Sequence, residues 1–190
     1  MTANSAVTAW ASVSLVLVLA MVGCSANAQN EVKHWENNQK SAAEFKAAWP
    51  GFAVVIDGRV AAARTAFDAA TREADETKKG EQMKAANAIA GEIISPLNEI
   101  KYKSESVQKT VDKIAALKVD KGDVGRRNDA MTAAQNELGK VSAAIAAARP
   151  ATVADAVAVL KSQVSALIAA KGAADRALTA LSPSKGKAKR

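Results

Sequence analysis

Residues 83–114 read MKAANAIAGEIISPLNEIKYKSESVQKTVDKI. Met83, Ala86, Ala90, Ile93, Leu97, Ile100, Ser104, Val107, Val111 and Ile114 recur at steps of three and four. That spacing puts side chains on one face of an α-helix. Pro96 falls inside the stripe, with Ser95 before it as a candidate N-cap. The stripe keeps its phase across the proline, so a kink or a tight restart is expected there, and not a reversal of the chain.

The same period appears on both sides. Upstream, Val32, Trp35, Ala42, Phe45 and Trp49 form one stripe, broken by Pro50-Gly51. Val55, Ile56, Val60, Ala63, Phe67, Ala70 and Ala74 form another. It fades into the charged run 75–80, read either as a helix end with Gly80 as C-cap or as an exposed stretch of one continuous helix. Downstream, residues 119–125 carry the strongest loop signal. Met131, Ala134, Leu138, Val141, Ile145 and Ala148 follow at heptad spacing, stopped by Pro150. Thr152-Val153-Ala154-Asp155 then resembles a capping box, with Asp in place of Glu. The last stripe is Val153, Val157, Leu160, Val164, Leu167, Lys171, Ala174, Leu178 and Leu181.

No segment sustains period-2 alternation. The expected fold is therefore all-α, an elongated antiparallel helical bundle, coiled-coil-like and Ala-rich, over residues 31–182. Of 190 residues, 45 are alanine. Alanine favours helix and lets helix axes approach closely, but each alanine layer buries less area than a leucine layer. Length, helix propensity or self-association into a homo-oligomer has to compensate.

One cysteine and one histidine exclude a disulfide framework, a cysteine zinc site and any single-chain site built on two histidines. Glu31 and His34 have the Glu-x-x-His spacing of di-iron bundles, but those sites need a second such motif. Glu92 and Glu99 lie seven apart on one helix face and read as solvated charges. Gly122, Gly125, Arg126 and Arg127 precede a helix start that could hold an anion, and read better as a plain inter-helix loop. Trp35, Phe45, Trp49, Phe52 and Phe67 read as core in preference to a lipid-contact or ligand surface. No nucleophile with a plausible base is apparent. The expectation is a non-enzymatic protein with no cofactor and no metal.

Residues 1–30 contain no charged side chain, and residues 13–22 (VSLVLVLAMV) form a compact apolar run. Its length suits a signal-peptide core better than a bilayer span. Two cleavage sites follow. Met21-Val22-Gly23-Cys24 resembles the lipobox of bacterial lipoproteins, with Met21 where leucine is usual. That resemblance implies diacylglycerol on the Cys24 thiol, further acylation such as palmitate, and a signal peptide of residues 1–23. Ser25 after the cysteine implies, by the same resemblance, sorting to the outer membrane facing the periplasm. Ala26-Asn27-Ala28 instead offers an A-x-A site that ends the signal peptide at residue 28 and releases a periplasmic or secreted chain from Gln29. An uncleaved anchor over residues 6–26 is the third reading. Residues 24–30 are expected to be a flexible linker.

Net charge is +7, of which Lys185, Lys187, Lys189 and Arg190 supply +4. With proline, glycine and no apolar stripe, residues 183–190 are expected to be a disordered basic tail. It reads first as a solubilising terminus with no specific partner; anionic envelope polymers or lipid head groups are its candidate contacts, and export puts nucleic acid out of reach. The expected role is a membrane-anchored scaffold, spacer or adaptor. The alternative is a soluble helical module binding an apolar ligand or a partner protein.

Overall fold

The protein, a computed structural model, is described over residues 5–182 for its backbone and 27–182 for its side chains. Five α-helices account for it: α1 (Ser5–Ala48), α2 (Ala53–Ala70), α3 (Glu76–Ala115), α4 (Val124–Ala147) and α5 (Val153–Leu181). Single 3-10 turns, Pro50–Phe52 and Lys121–Asp123, precede α2 and α4. There are no strands among the described residues, and the fold is an all-α helical bundle. It divides into two compact units. Among the described residues, unit 1 joins those up to Glu44 with Ile56–Glu92, and unit 2 joins Phe45–Val55 with those from Ile93 to Ser182.

Unit 1 packs α1, α2 and the start of α3. Trp35 of α1 stacks on Phe67 of α2 with ring centroids 5.2 Å apart. Ala28, Ala63, Ala70, Met83, Ala86 and Ala90 complete this core. The α1–α3 contact is parallel: Asn27 lies beside Gly80, and four residues further along α1 Glu31 meets Asn87. Residues 27–30, expected to end a flexible linker, are helical, and Ala28 is buried. The α2–α3 break also falls elsewhere than the charged run suggested. α2 ends at Ala70, five residues form a turn, and Gly80 is buried inside α3, so it caps nothing. The start of α3 is set by a side-chain cap. The Asp75 carboxylate accepts hydrogen bonds from the Thr77 and Lys78 amides at 2.9 and 3.0 Å, two of the donors that a helix start leaves without intrahelical partners.

Unit 2 packs the rest of α3 with α4, α5 and the α1–α2 corner. α3 runs unbroken through Pro96. Ile93, Ile94, Leu97, Ile100, Val107, Val111 and Ile114 are all buried. α4 and α5 are joined by only five residues, 148–152, so they run antiparallel, and they border a recess lined by Ala130, Ala134, Glu137, Ala170, Ala174 and Ala177. The short connection 116–123 makes α3 and α4 antiparallel too, and they border another recess, lined by Ile100, Ser104, Gln108, Leu138, Val141 and Ile145. α5 opens with a complete capping box, Thr152 Oγ1 accepting from the Asp155 amide while the Asp155 carboxylate accepts from the Thr152 amide. By length and composition α5 is apolar enough to cross a membrane. Its Ala156, Leu160, Leu167, Ala170, Ala174 and Leu181 face is buried within the protein. Gly51 permits the corner to pack, because a Cβ there would collide with the Ala148 carbonyl oxygen and the Arg149 side chain.

Candidate functional site

A groove of about 380 Å³ lies between α3 and α4 in unit 2. Buried Ile100, Val141 and Ile145 and half-buried Leu138 and Trp49 supply its apolar lining. Ser104, Glu105, Gln108 and Ser142 supply the polar lining. Trp49 is held by Phe45, whose ring stacks parallel to it with centroids 5.2 Å apart. The volume lies at the small end of the range for ligand pockets, and an apolar lining with a few polar groups is their usual chemistry. Such a groove can bury one apolar body and orient it by a carboxylate, an amide and two hydroxyls.

The sequence carried one mark of this groove. Ser104 occupies a stripe position between Ile100 and Val107, and it is half-buried. A small side chain where the stripe calls for a large one leaves volume unfilled. Leu138, Val141 and Ile145 were legible only as core, since periodicity does not say which core side chains border a recess.

Unit 1 holds a different polar feature. Glu31 and Asn87 are buried among apolar side chains. Asn87 Nδ2 donates to the Glu31 carbonyl oxygen at 2.9 Å and to its carboxylate at 2.8 Å. Asn38 Nδ2 donates to Asn87 Oδ1 at 3.2 Å. His34 Nδ1 lies 3.7 Å from the Glu31 carboxylate, with most of its ring in solvent. The Glu-x-x-His pair is thus joined to two asparagines. Among the described residues no group of three or more His, Cys, Asp and Glu side chains could hold a metal ion.

The other sequence candidates are dispersed. Glu92 is exposed and pairs with Arg59, and Glu99 is exposed. Gly125, Arg126 and Arg127, read as loop, lie in the first turn of α4, where Arg126 pairs with Asp123 and Arg127 donates to the Leu117 carbonyl at 3.2 Å, so both arginines tie the α3–α4 connection to α4. Trp35, Phe45, Phe52 and Phe67 are buried, as a core reading requires, whereas Trp49, read with them as core, is half-buried and borders the groove. The Cys24 side chain and the tail cations Lys185, Lys187, Lys189 and Arg190 lie outside the described residues. Among the described residues, Asp75 has a displaced carboxyl. The Lys78 amide, and after it the Thr77 amide, hold its carboxyl below the usual carboxylate range. No family model matches the chain, and neither a curated protein nor a solved structure does.

Proposed function

We propose that the chain is a lipid-anchored cell-envelope protein, held to a membrane leaflet through acylated Cys24. Its helical bundle acts as a non-enzymatic scaffold, spacer or adaptor. Two features of sequence support the anchor: the apolar run 13–22 and the cysteine that follows it after Gly23. The observation that favours it over cleavage at residue 28 is the burial of Ala28, 8% exposed in the unit 1 core. A mature chain that begins at Cys24 keeps Ala28 and the helical turn before Glu31. Cleavage at the A-x-A site would discard a core residue and leave a new chain terminus two residues from buried Glu31.

The test is the intact mass of the protein from native membranes. An N-terminus at Cys24 with added acyl mass is expected, whereas an N-terminus at Gln29 overturns the anchor. Cys24→Ser, followed through membrane fractionation, should move the protein from the membrane pellet to the soluble fraction.

The groove favours a second reading, a module that binds an apolar ligand or a partner helix. Filling it by Ser104→Leu should abolish such binding while leaving the fold intact. Environment-sensitive apolar dyes, with Trp49 emission as the internal reporter, would register the loss.

A further inference from the structure

Only Ser25 and Ala26 separate Cys24 from Asn27. From Asn27 onward the chain is fixed. The Cβ position of Gly80 lies 3.2 Å from Asn27 Nδ2 and 3.8 Å from the Ala28 amide nitrogen. Ala28 is buried, and Glu31 is held by Asn87. α3 begins at Glu76, one turn before Gly80, and the turn at residues 71–75 precedes it. One end of unit 1 therefore consists of Asn27, the 71–75 turn and the first turn of α3.

Three residue steps span at most about 11 Å even when fully extended. The headgroup layer on each side of a bilayer is about 5–8 Å deep. A lipid on Cys24 thus leaves almost no free tether above the headgroups. We infer that this end of unit 1, with the exposed side chains of Thr71, Arg72, Asp75 and Lys78, lies against the phospholipid headgroups of the anchoring leaflet. The inference rests on the lipid anchor proposed above.

Charge does not draw this end down. Arg72, Lys78 and Lys79 are balanced by Glu73, Asp75 and Glu76, and Lys79 is already paired with Glu76 at 2.9 Å. The short tether alone sets the placement, which should then persist at high salt. Gly58 is a control within the same unit. It lies on α2 thirteen residues before Thr71, about 20 Å along the helix at 1.5 Å per residue, and a side chain there meets no atom within 4 Å.

The experiment uses the full acylated chain, purified from membranes and reconstituted in phosphatidylethanolamine–phosphatidylglycerol vesicles that carry headgroup spin labels. Acylation consumes the Cys24 thiol, so Thr71→Cys and Gly58→Cys each carry one thiol for a fluorophore. Quenching about twofold or more stronger at 71 than at 58, unchanged by salt, is expected from the difference in height. Equal quenching at both positions, or quenching at 71 that salt abolishes, overturns the inference while the anchor stands. If mass spectrometry finds Cys24 free and labelled, the anchor itself fails and the inference falls with it.

Discussion

Asn87 on α3 donates both hydrogens of one amide nitrogen to Glu31 on α1, one to its backbone oxygen at 2.9 Å and one to its carboxylate at 2.8 Å. The two residues stand 56 apart in sequence. Their pairing fixes the register of α1 against α3 at a depth where an unpaired carboxylate is costly. Asn87→Ala should destabilise the protein by about 1–3 kcal/mol, the cost of leaving a buried polar group without its donor. Asn38→Ala, at the partly buried edge of the same network, should cost less. Urea midpoints for the two variants check the order.

Gly51 and Gly58 should respond in opposite directions to the same substitution. At Gly51 a methyl group collides with the Ala148 backbone, which cannot move aside without shifting the end of α4. Gly51→Ala should therefore cost about 1–3 kcal/mol. Gly58 sits within α2 with open space around it. Gly58→Ala should stabilise by about 0.5–1 kcal/mol through helix propensity and a less flexible unfolded chain. Thermal denaturation of the two variants side by side is the measurement.

The capping box of α5 gives a third prediction. Thr152→Ala removes the acceptor for the Asp155 amide and should lower stability by about 1 kcal/mol. Thr152→Ser keeps the oxygen and should retain most of it. Amide exchange within the first turn of α5 should accelerate in the alanine variant alone.

Acid should weaken the start of α3. The Asp75 carboxyl is held below its ordinary range by the Lys78 and Thr77 amides. A group lowered in the folded state contributes stability that is present above its unfolded pKa and is lost as pH falls through the lower folded value. Asp75→Asn keeps a helix-capping oxygen but not the charge. The parent's advantage over this variant should be present at neutral pH and vanish in strong acid. Denaturation midpoints across that range check it.

How far these features were legible in the sequence depends on their range. α5 was read over its full length because Thr152, Asp155 and the Val153-to-Leu181 stripe are local signals that agree with one another. The break after α2 was misplaced. Five mostly exposed residues with a side-chain cap look, in sequence, much like the charged face of a helix, and Gly80 drew attention as a terminator when its role is to admit Asn27. The Glu31–Asn87 pair could not be read at all, since a tertiary hydrogen bond leaves no periodic mark. Of the groove, Ser104 was visible as an undersized member of its stripe. Trp49 was read as core, because it continues the stripe through Trp35 and Phe45 and periodicity does not mark which stripe member borders a recess.

The α4–α5 seam of Ala130, Ala134, Ala170, Ala174 and Ala177 has a bearing on how such a chain tolerates genetic drift. Single-base changes in an alanine codon lead to Val, Thr, Ser, Gly, Pro, Asp or Glu. Along this seam most of these are too polar or hostile to helix, which leaves serine, glycine at a cost in helix propensity, and valine only where the recess has room for it. An ordinary leucine-filled interface accepts methionine, isoleucine or valine with modest loss. This pair of helices should therefore accumulate serine where other bundles exchange one aliphatic for another.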